Sequence, residues 1–275
     1  MFTIIGAAGF IGSRLARHLE ARRVDYYAPR RGEDLAGRRL GRVIYCAGLT
    51  ADFRTRPHDA VEAHVCQVLR LVRGCDFESF VYLSSTRLYK GHGRETAREE
   101  DDLRVNPSEP GDLYNLSKAL GESVVRLCGE RARVVRLSNV YGEDFSRQTF
   151  LSMIIGEALR DGRIRLQTSL ESAKDYVSVE DVVGLLPRIA AGGRSRAYNV
   201  ASGVNVTNAE LAAGIARLTA CAVTEEPGAE TVSFPPVDIG RVREEFGFEP
   251  ASVLGDLPRL VESYRRHRSD TVDLH

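Results

Sequence analysis

The segment that most constrains this chain lies at its start, where the apolar run Thr3-Ile4-Ile5 passes directly into Gly6-Ala7-Ala8-Gly9-Phe10-Ile11-Gly12. Three glycines spaced by three are hard to place anywhere except in a strand-to-helix turn. Gly6 is suited to the turn itself, Gly9 to the close approach of a ligand to backbone N–H groups, and Gly12 to a helix lying tight against the strand. A helix opening at about Phe10 points its positive end at the same spot. Ile11, Leu15 and Leu19 then recur one helical turn apart, so strand, loop and helix follow in the required order. The reading is a dinucleotide-phosphate site formed by Gly6, Gly9, Phe10, Ile11 and Gly12, with an ordinary glycine-rich turn as the alternative.

Composition narrows the classes. At 275 residues with 43% hydrophobic content, the chain is long enough for a substantial core. Its 38 basic residues balance 38 acidic ones, which gives no pull toward nucleic acid or an anionic membrane. No apolar run reaches the roughly 18 residues of a membrane span, and strand chemistry begins at Phe2 without a basic leader. A cytoplasmic location is expected. Cys46, Cys66, Cys75, Cys128 and Cys221 show no paired spacing, and the six histidines form no ligand pattern, so reduced thiols and no metal are expected.

A second short strand is expected over Val24 to Ala28, ending in Pro29-Arg30-Arg31. This is where a dinucleotide site meets the adenosine ribose. An acidic residue there favours NAD, whereas guanidinium groups suit a 2′-phosphate, so Arg30 and Arg31 favour NADP, with NAD possible. The alternative is two solvated loop charges beside Glu33 and Asp34. Val43 to Ala47 reads as the next buried strand, and small residues at its end, Ala47 and Gly48, leave room for a ligand. The following helix carries Val61, Val65, Val68, Leu69 and Val72 on one face, with His64 read as a packed, hydrogen-bonded histidine.

The chemistry sits further on. Phe80-Val81-Tyr82-Leu83 is a continuous apolar strand capped by the hydroxyls of Ser84, Ser85 and Thr86, and Tyr114 and Lys118 stand one turn apart at the start of a later helix. Residues four apart share a helix face, so the ammonium can favour the phenolate of a tyrosine whose unperturbed pKa is about 10. A serine hydroxyl from the strand end can hold the same substrate oxygen. Together these groups would move a proton while a nicotinamide moves a hydride.

These residues resemble the extended short-chain dehydrogenase/reductases, in their nucleotide-sugar epimerase/dehydratase branch. The resemblance runs through the Gly6, Gly9, Gly12 loop, Tyr82-Leu83-Ser84-Ser85 with Tyr89 behind it, Tyr114 with Lys118, Arg136 to Gly142, Lys174-Asp175-Tyr176-Val177 and Tyr198 to Gly203. It implies an α/β, Rossmann-like doubly wound parallel sheet with a smaller C-terminal substrate lobe. Residues 1–141, rejoined by 176–200, would form the dinucleotide-binding domain, and 142–175 with 201–275 the lobe closing over a sugar nucleotide. Ser85, Tyr114 and Lys118 match the family's catalytic groups, Lys118 also holding the nicotinamide ribose, and Asn139 matches a substrate-phosphate contact. Thr86 and Arg87 fall beside the sugar. A homodimer through the helices at Val61 to Val72 and Lys118 to Leu127 is also implied.

The departures carry information. Dehydratases of this branch place an Asp-Glu pair directly after the catalytic hydroxyl to move protons at neighbouring carbons; here Thr86 and Arg87 stand instead, which argues against water elimination. His64 occupies the place of an asparagine. One strand-helix unit looks lost before Val43, and Thr224 to Gly240 lacks the arginine with which relatives grip a pyrophosphate. Lys174 is the substitute candidate. Elsewhere, helices are expected over Phe150 to Arg160, Glu210 to Leu218 and through Leu257, Leu260, Val261 and Tyr264, with Asp181 as a cap and a frayed tail from Arg265. The loop Lys90 to Pro110 is either a mobile cover or a surface excursion. The expected function is hydride exchange at a sugar carbon, most readily C4, as an epimerase or a ketoreductase. A non-catalytic NADP-binding sensor or scaffold is the alternative.

Overall fold

A computed structural model describes residues 1–49, 52–91, 93, 95–145 and 149–272, apart from the side chains of 52 and 269–272. Its centre is a six-stranded parallel sheet. The strands are β1 (Phe2–Ile5), β2 (Tyr26–Tyr27), β3 (Arg42–Tyr45), β4 (Ser79–Ser85), β5 (Ala132–Leu137) and, after β6 (Asn139–Tyr141), β7 (Arg163–Thr168) and β8 (Ala173–Ser178), β9 (Ala197–Val200). The order is β2-β1-β3-β4-β5-β9, every pairing parallel. Such a sheet must be covered on both faces, which explains its nearly continuous apolar strands.

Alternate residues go to opposite sides. Ile4, Ile44, Val81 and Val135 pack with Leu15 and Leu19 of α1 (Phe10–Ala21) on one face. The same cluster takes in Val182, Val183, Leu186 and Ile189 from α6 (Val179–Gly192). On the other face, Ile5, Val43, Tyr45, Phe80 and Tyr82 meet Val68 and Leu71 of a helix that runs as α2 (Pro57–Val61), a π-turn (Glu62–Cys66) and α3 (Gln67–Gly74). Val125 of α4 (Leu113–Arg126) completes that layer.

A further apolar cluster joins α5 (Phe150–Asp161), α7 (Asn208–Thr219) and α9 (Val253–Val272) over β7, with α8 (Gly240–Phe246) packed instead against the main sheet. Here β7 pairs in parallel with β11 (Ala222–Glu230), while β10 (Asn205–Thr207), β8 and β6 form a three-stranded mixed sheet. The compressed segment before β3 is real. Residues 28–41 hold no helix, Leu35 and Leu40 plug the core directly, and β3 pairs on the far side of β1 from β2.

Three local expectations are corrected. The second strand is two residues long. The cap of α6 is Ser178, whose Oγ accepts the Asp181 N–H at 3.0 Å, because β8 runs into the helix with no loop; the Asp181 carboxylate instead accepts the Ala251 N–H. The tail does not fray at Arg265. Helix α9 continues to Val272, held by Arg265 on Glu262 and on the Leu218 carbonyl and by Arg268 on the Leu159 carbonyl. Residues 273–275, also part of that tail, lie outside the described residues. So do 92 and 94 of the loop Lys90 to Pro110. From Ala97, which pairs with Val237, that loop is anchored to the body, and none of its described residues lines the cleft below.

Candidate active site

The cleft lies at the C-terminal ends of β1, β3, β4 and β5 and encloses about 1990 Å³. Its floor is the glycine loop. Gly6 has φ +87°, and a Cβ there would stand 2.7 Å from the Ala47 nitrogen; one on Gly12 would stand 2.2 Å from the Gly6 carbonyl oxygen. Gly9 is the N-cap of α1, offers no side-chain acceptor to the first turn, and no acidic residue follows it there. The leading N–H groups of a twelve-residue helix are thus left for an anion. Phe10, Ile11, Ala47 and Gly48 all line the same cleft. These features fit a dinucleotide pyrophosphate.

Arg30 and Arg31 are exposed on the rim. The Glu33 carboxylate forms its ion pair elsewhere, with Arg38 at 3.2 Å, while it takes the Tyr27 hydroxyl and the Arg30 backbone N–H at 3.0 Å and feels the Arg30 charge at longer range. Neither Arg30 nor Arg31 forms an ion pair among the described residues.

Ser85 ends β4, and its Oγ accepts the Arg87 N–H at 3.1 Å, which leaves its own hydrogen for another acceptor. Tyr114 is 3% exposed, with its ring 5.2 Å from Phe53 and edge-on to His64 at 5.3 Å. Lys118 lies one turn later, its Nζ donating to the Leu83 carbonyl at 2.8 Å above the Tyr82 ring. Burial pushes the Lys118 ammonium down to about 7, against the upward pull of Glu122. All three side chains reach the cleft.

His64 is fully buried. Its Nε2 accepts the Leu49 N–H at 3.2 Å, so Nδ1 carries the proton and donates to Ser117 Oγ at 2.9 Å. That hydroxyl donates in turn to the Tyr114 carbonyl at 2.9 Å. Burial, with the nearby Lys118 charge, drops the His64 pKa to about 2, so the ring is neutral and works as a brace. It sits in the π-turn, where the Gln67 N–H reaches back to Glu62; the Ala63 carbonyl, which an α-helix would pair with Gln67, accepts the Tyr45 hydroxyl at 2.5 Å. On the adjacent strand, the Tyr82 hydroxyl donates to the His64 carbonyl at 3.1 Å.

On the opposite wall, Thr86, Arg87, Asn139 and Lys174 line the cleft. Asn139 donates to the Asp175 carbonyl at 2.8 Å. Lys174 is not paired with its neighbour Asp175, whose carboxylate accepts from Ser202 N, Ser202 Oγ and Gly203 N; its ammonium lies 5.0 Å from the Phe150 ring centroid. Sequence reading missed Phe53 and Arg54, which come from a short 3₁₀ turn with no periodic signature. It also missed the buried support under the site. Arg136 makes a two-pronged contact with Glu122 at 2.9 and 2.7 Å and donates to Tyr89, whose hydroxyl donates to Asn199.

Tyr89, Arg136 and Asn199 belong to the stretches that carried the resemblance, and with Glu122 they tie β5, α4 and β9 together behind the cleft. The model of the NAD dependent epimerase/dehydratase family matches residues 2–201. The chain belongs to that family. As a member of the NAD dependent epimerase/dehydratase family it is an enzyme that works with a nicotinamide dinucleotide. It is 26% identical to a dTDP-4-dehydro-6-deoxy-D-allose reductase of Streptomyces sp, over 96% of each chain. Among solved structures it is similar to MoeE5 in complex with UDP-glucose and NAD, with a TM-score of 0.81 and 22% identity over 97% of this chain and 99% of that one. RMD from Pseudomonas aeruginosa, complexed with NADPH, superposes with a TM-score of 0.78 at 18% identity over 97% and 100% of the two chains.

Proposed function

We propose that this enzyme transfers a hydride at C4 of a nucleotide sugar, as a 4-ketoreductase or a C4 epimerase. The observation that carries the reading is the meeting, in one cleft, of an uncapped glycine-loop helix end, the Ser85 hydroxyl and the Tyr114 and Lys118 side chains. When bound, the nicotinamide supplies or accepts the hydride. Tyr114 gives a proton to the sugar carbonyl oxygen in the reducing direction and takes it back in the other. Ser85 holds that oxygen with the hydrogen its contact to Arg87 leaves free. Lys118 holds the nicotinamide ribose and, when charged, favours the phenolate.

Several finer points belong to the same reading. Arg30 and Arg31, unpaired on the rim, favour NADP, which suits a reductase that exchanges its cofactor. The relative named as a dTDP-4-dehydro-6-deoxy-D-allose reductase supports the same branch; MoeE5, also solved with UDP-glucuronic acid, supports a nucleotide-linked hexose. Lys174 and Asn139 hold the substrate phosphates, and residues 142–175 with 201–275, apart from Val237 to Phe248 packed on the main sheet, form the lobe over the sugar. Leu69, Leu120 and Leu127, exposed on and beside α3 and α4, support a homodimer through those helices. Five unpaired cysteines suit the cytoplasm.

The test is Tyr114→Phe, which keeps the ring against Phe53 and His64. Turnover of a panel of nucleotide sugars should fall by the roughly 10²- to 10⁴-fold typical of a lost general acid/base, with dinucleotide binding retained. A folded, cofactor-bound Tyr114→Phe protein with full activity would overturn the mechanism. Net consumption of NADPH marks a reductase; sugar interconversion without it marks an epimerase.

A further inference from the structure

Arg87 stands two residues beyond Ser85, with its guanidinium 5.4 Å from the Phe53 ring centroid and 5.9 Å from that of Tyr114. Its Nε is buried without a hydrogen-bond partner. Two cations lie within its electrostatic reach, Arg54 and Lys174. The carboxylate in its field, Asp112, is occupied by the Asn106 N–H at 2.9 Å and the Asn115 side chain at 3.0 Å. Among the described residues no carboxylate forms an ion pair with Arg87, Arg54 or Lys174. Burial lowers the pKa of both Arg87 and Lys174, with Arg54 lowering that of Arg87 further and Arg87 that of Lys174.

A guanidinium close to two rings, repelled by a neighbouring arginine and with a buried N–H short of an acceptor, is a receptor awaiting an anion. Its place says where on the substrate that anion lies. Arg87 touches the ring of the proton-exchanging tyrosine and follows the hydroxyl that orients the reacting oxygen. On the reading above, an anion held by Arg87 lies close to the reacting centre, in the cleft that Lys174 and Asn139 also line. We propose that Arg87 binds a carboxylate on the sugar carbon adjacent to the reacting centre, so that the substrate is a nucleotide-linked hexuronate. This inference rests on the nucleotide-sugar reading above.

The experiment measures affinities of the NADP-loaded enzyme for UDP-glucuronate, UDP-glucose and UDP by calorimetry, with the dTDP series in parallel. The wild type should prefer the glucuronate by about ten- to a hundredfold, as one charge-assisted contact provides. Arg87→Gln should abolish that preference while UDP-glucose and UDP bind as before. Lys174→Ala should weaken all three ligands together. Retained cofactor and an unchanged melting temperature show that each variant is folded, and Arg87→Met provides a second variant if the glutamine form is not. Equal wild-type affinity for glucuronate and glucose overturns the inference alone. Equal weakening of all ligands by Arg87→Gln overturns it in favour of a phosphate contact. Failure of every nucleotide and nucleotide sugar to bind overturns the functional reading as well.

Discussion

Replacing Lys118 with methionine should make the ligand-free protein more stable and the enzyme inactive. The lysine is 5% exposed, and its pKa falls from 10.5 to about 7. At about 1.4 kcal/mol per pH unit, that drop corresponds to about 5 kcal/mol of destabilisation when the group is charged in both folded and unfolded chains. Below about pH 7 this stands in full. Between about pH 7 and 10.5 the folded chain has released a proton that the unfolded chain keeps, so wild-type stability rises with pH across that window. Methionine keeps the stem's apolar contacts but leaves the Leu83 carbonyl without its donor, which costs about 1–3 kcal/mol. The net expectation for Lys118→Met is a gain of about 2–4 kcal/mol at pH 6 that shrinks to about zero by pH 9. Urea unfolding of the cofactor-free proteins at both pH values measures it. A separation that is the same at pH 6 and pH 9, or a variant less stable at pH 6, refutes the reasoning.

Gly12→Ala should lose about 1–3 kcal/mol or more and most dinucleotide affinity, because its Cβ would meet the Gly6 carbonyl at 2.2 Å; thermal unfolding with a cofactor titration checks both, and unchanged affinity counts against the loop's role. Arg30→Ala and Arg31→Ala should weaken NADP while sparing NAD. Fluorescence titration gives the ratio, and an unaltered ratio makes the two arginines bystanders.

The fold and half of the site were legible because their signals are local. Gly6, Gly9 and Gly12 encode a turn, a cap and a close approach within seven residues, and Tyr114 and Lys118 share a face through helical spacing alone. Ser84 and Ser85 were placed by an apolar run that could only be a buried strand. What escaped depends on distant partners. Phe53 reaches Tyr114 across 61 positions of sequence from a turn without periodicity. Asp181 looked like a cap because nothing local shows that β8 runs straight into α6, which hands the role to Ser178. Arg265 to Arg268 read as a polar tail, since their acceptors, Leu218 and Leu159, belong to other helices. The isolation of Arg87 is likewise a property of the assembled cleft and not of its neighbours in sequence.

The π-turn at Glu62–Cys66 couples one helix to two strands. Such a turn pairs each N–H one residue further back than an α-helix does and leaves one carbonyl without its helical partner. Here the displaced acceptor is met by the sheet, through Tyr45 on the Ala63 carbonyl, with Tyr82 beside it on His64. Regular pairing along the helix would return the Ala63 carbonyl to the Gln67 N–H, leave the Tyr45 hydroxyl with Gln67 Oε1 alone at 2.9 Å, and shift the imidazole relative to Ser117. Helix and sheet are therefore set together here, and a change in the pairing of the one is felt by the buried hydroxyls of the other.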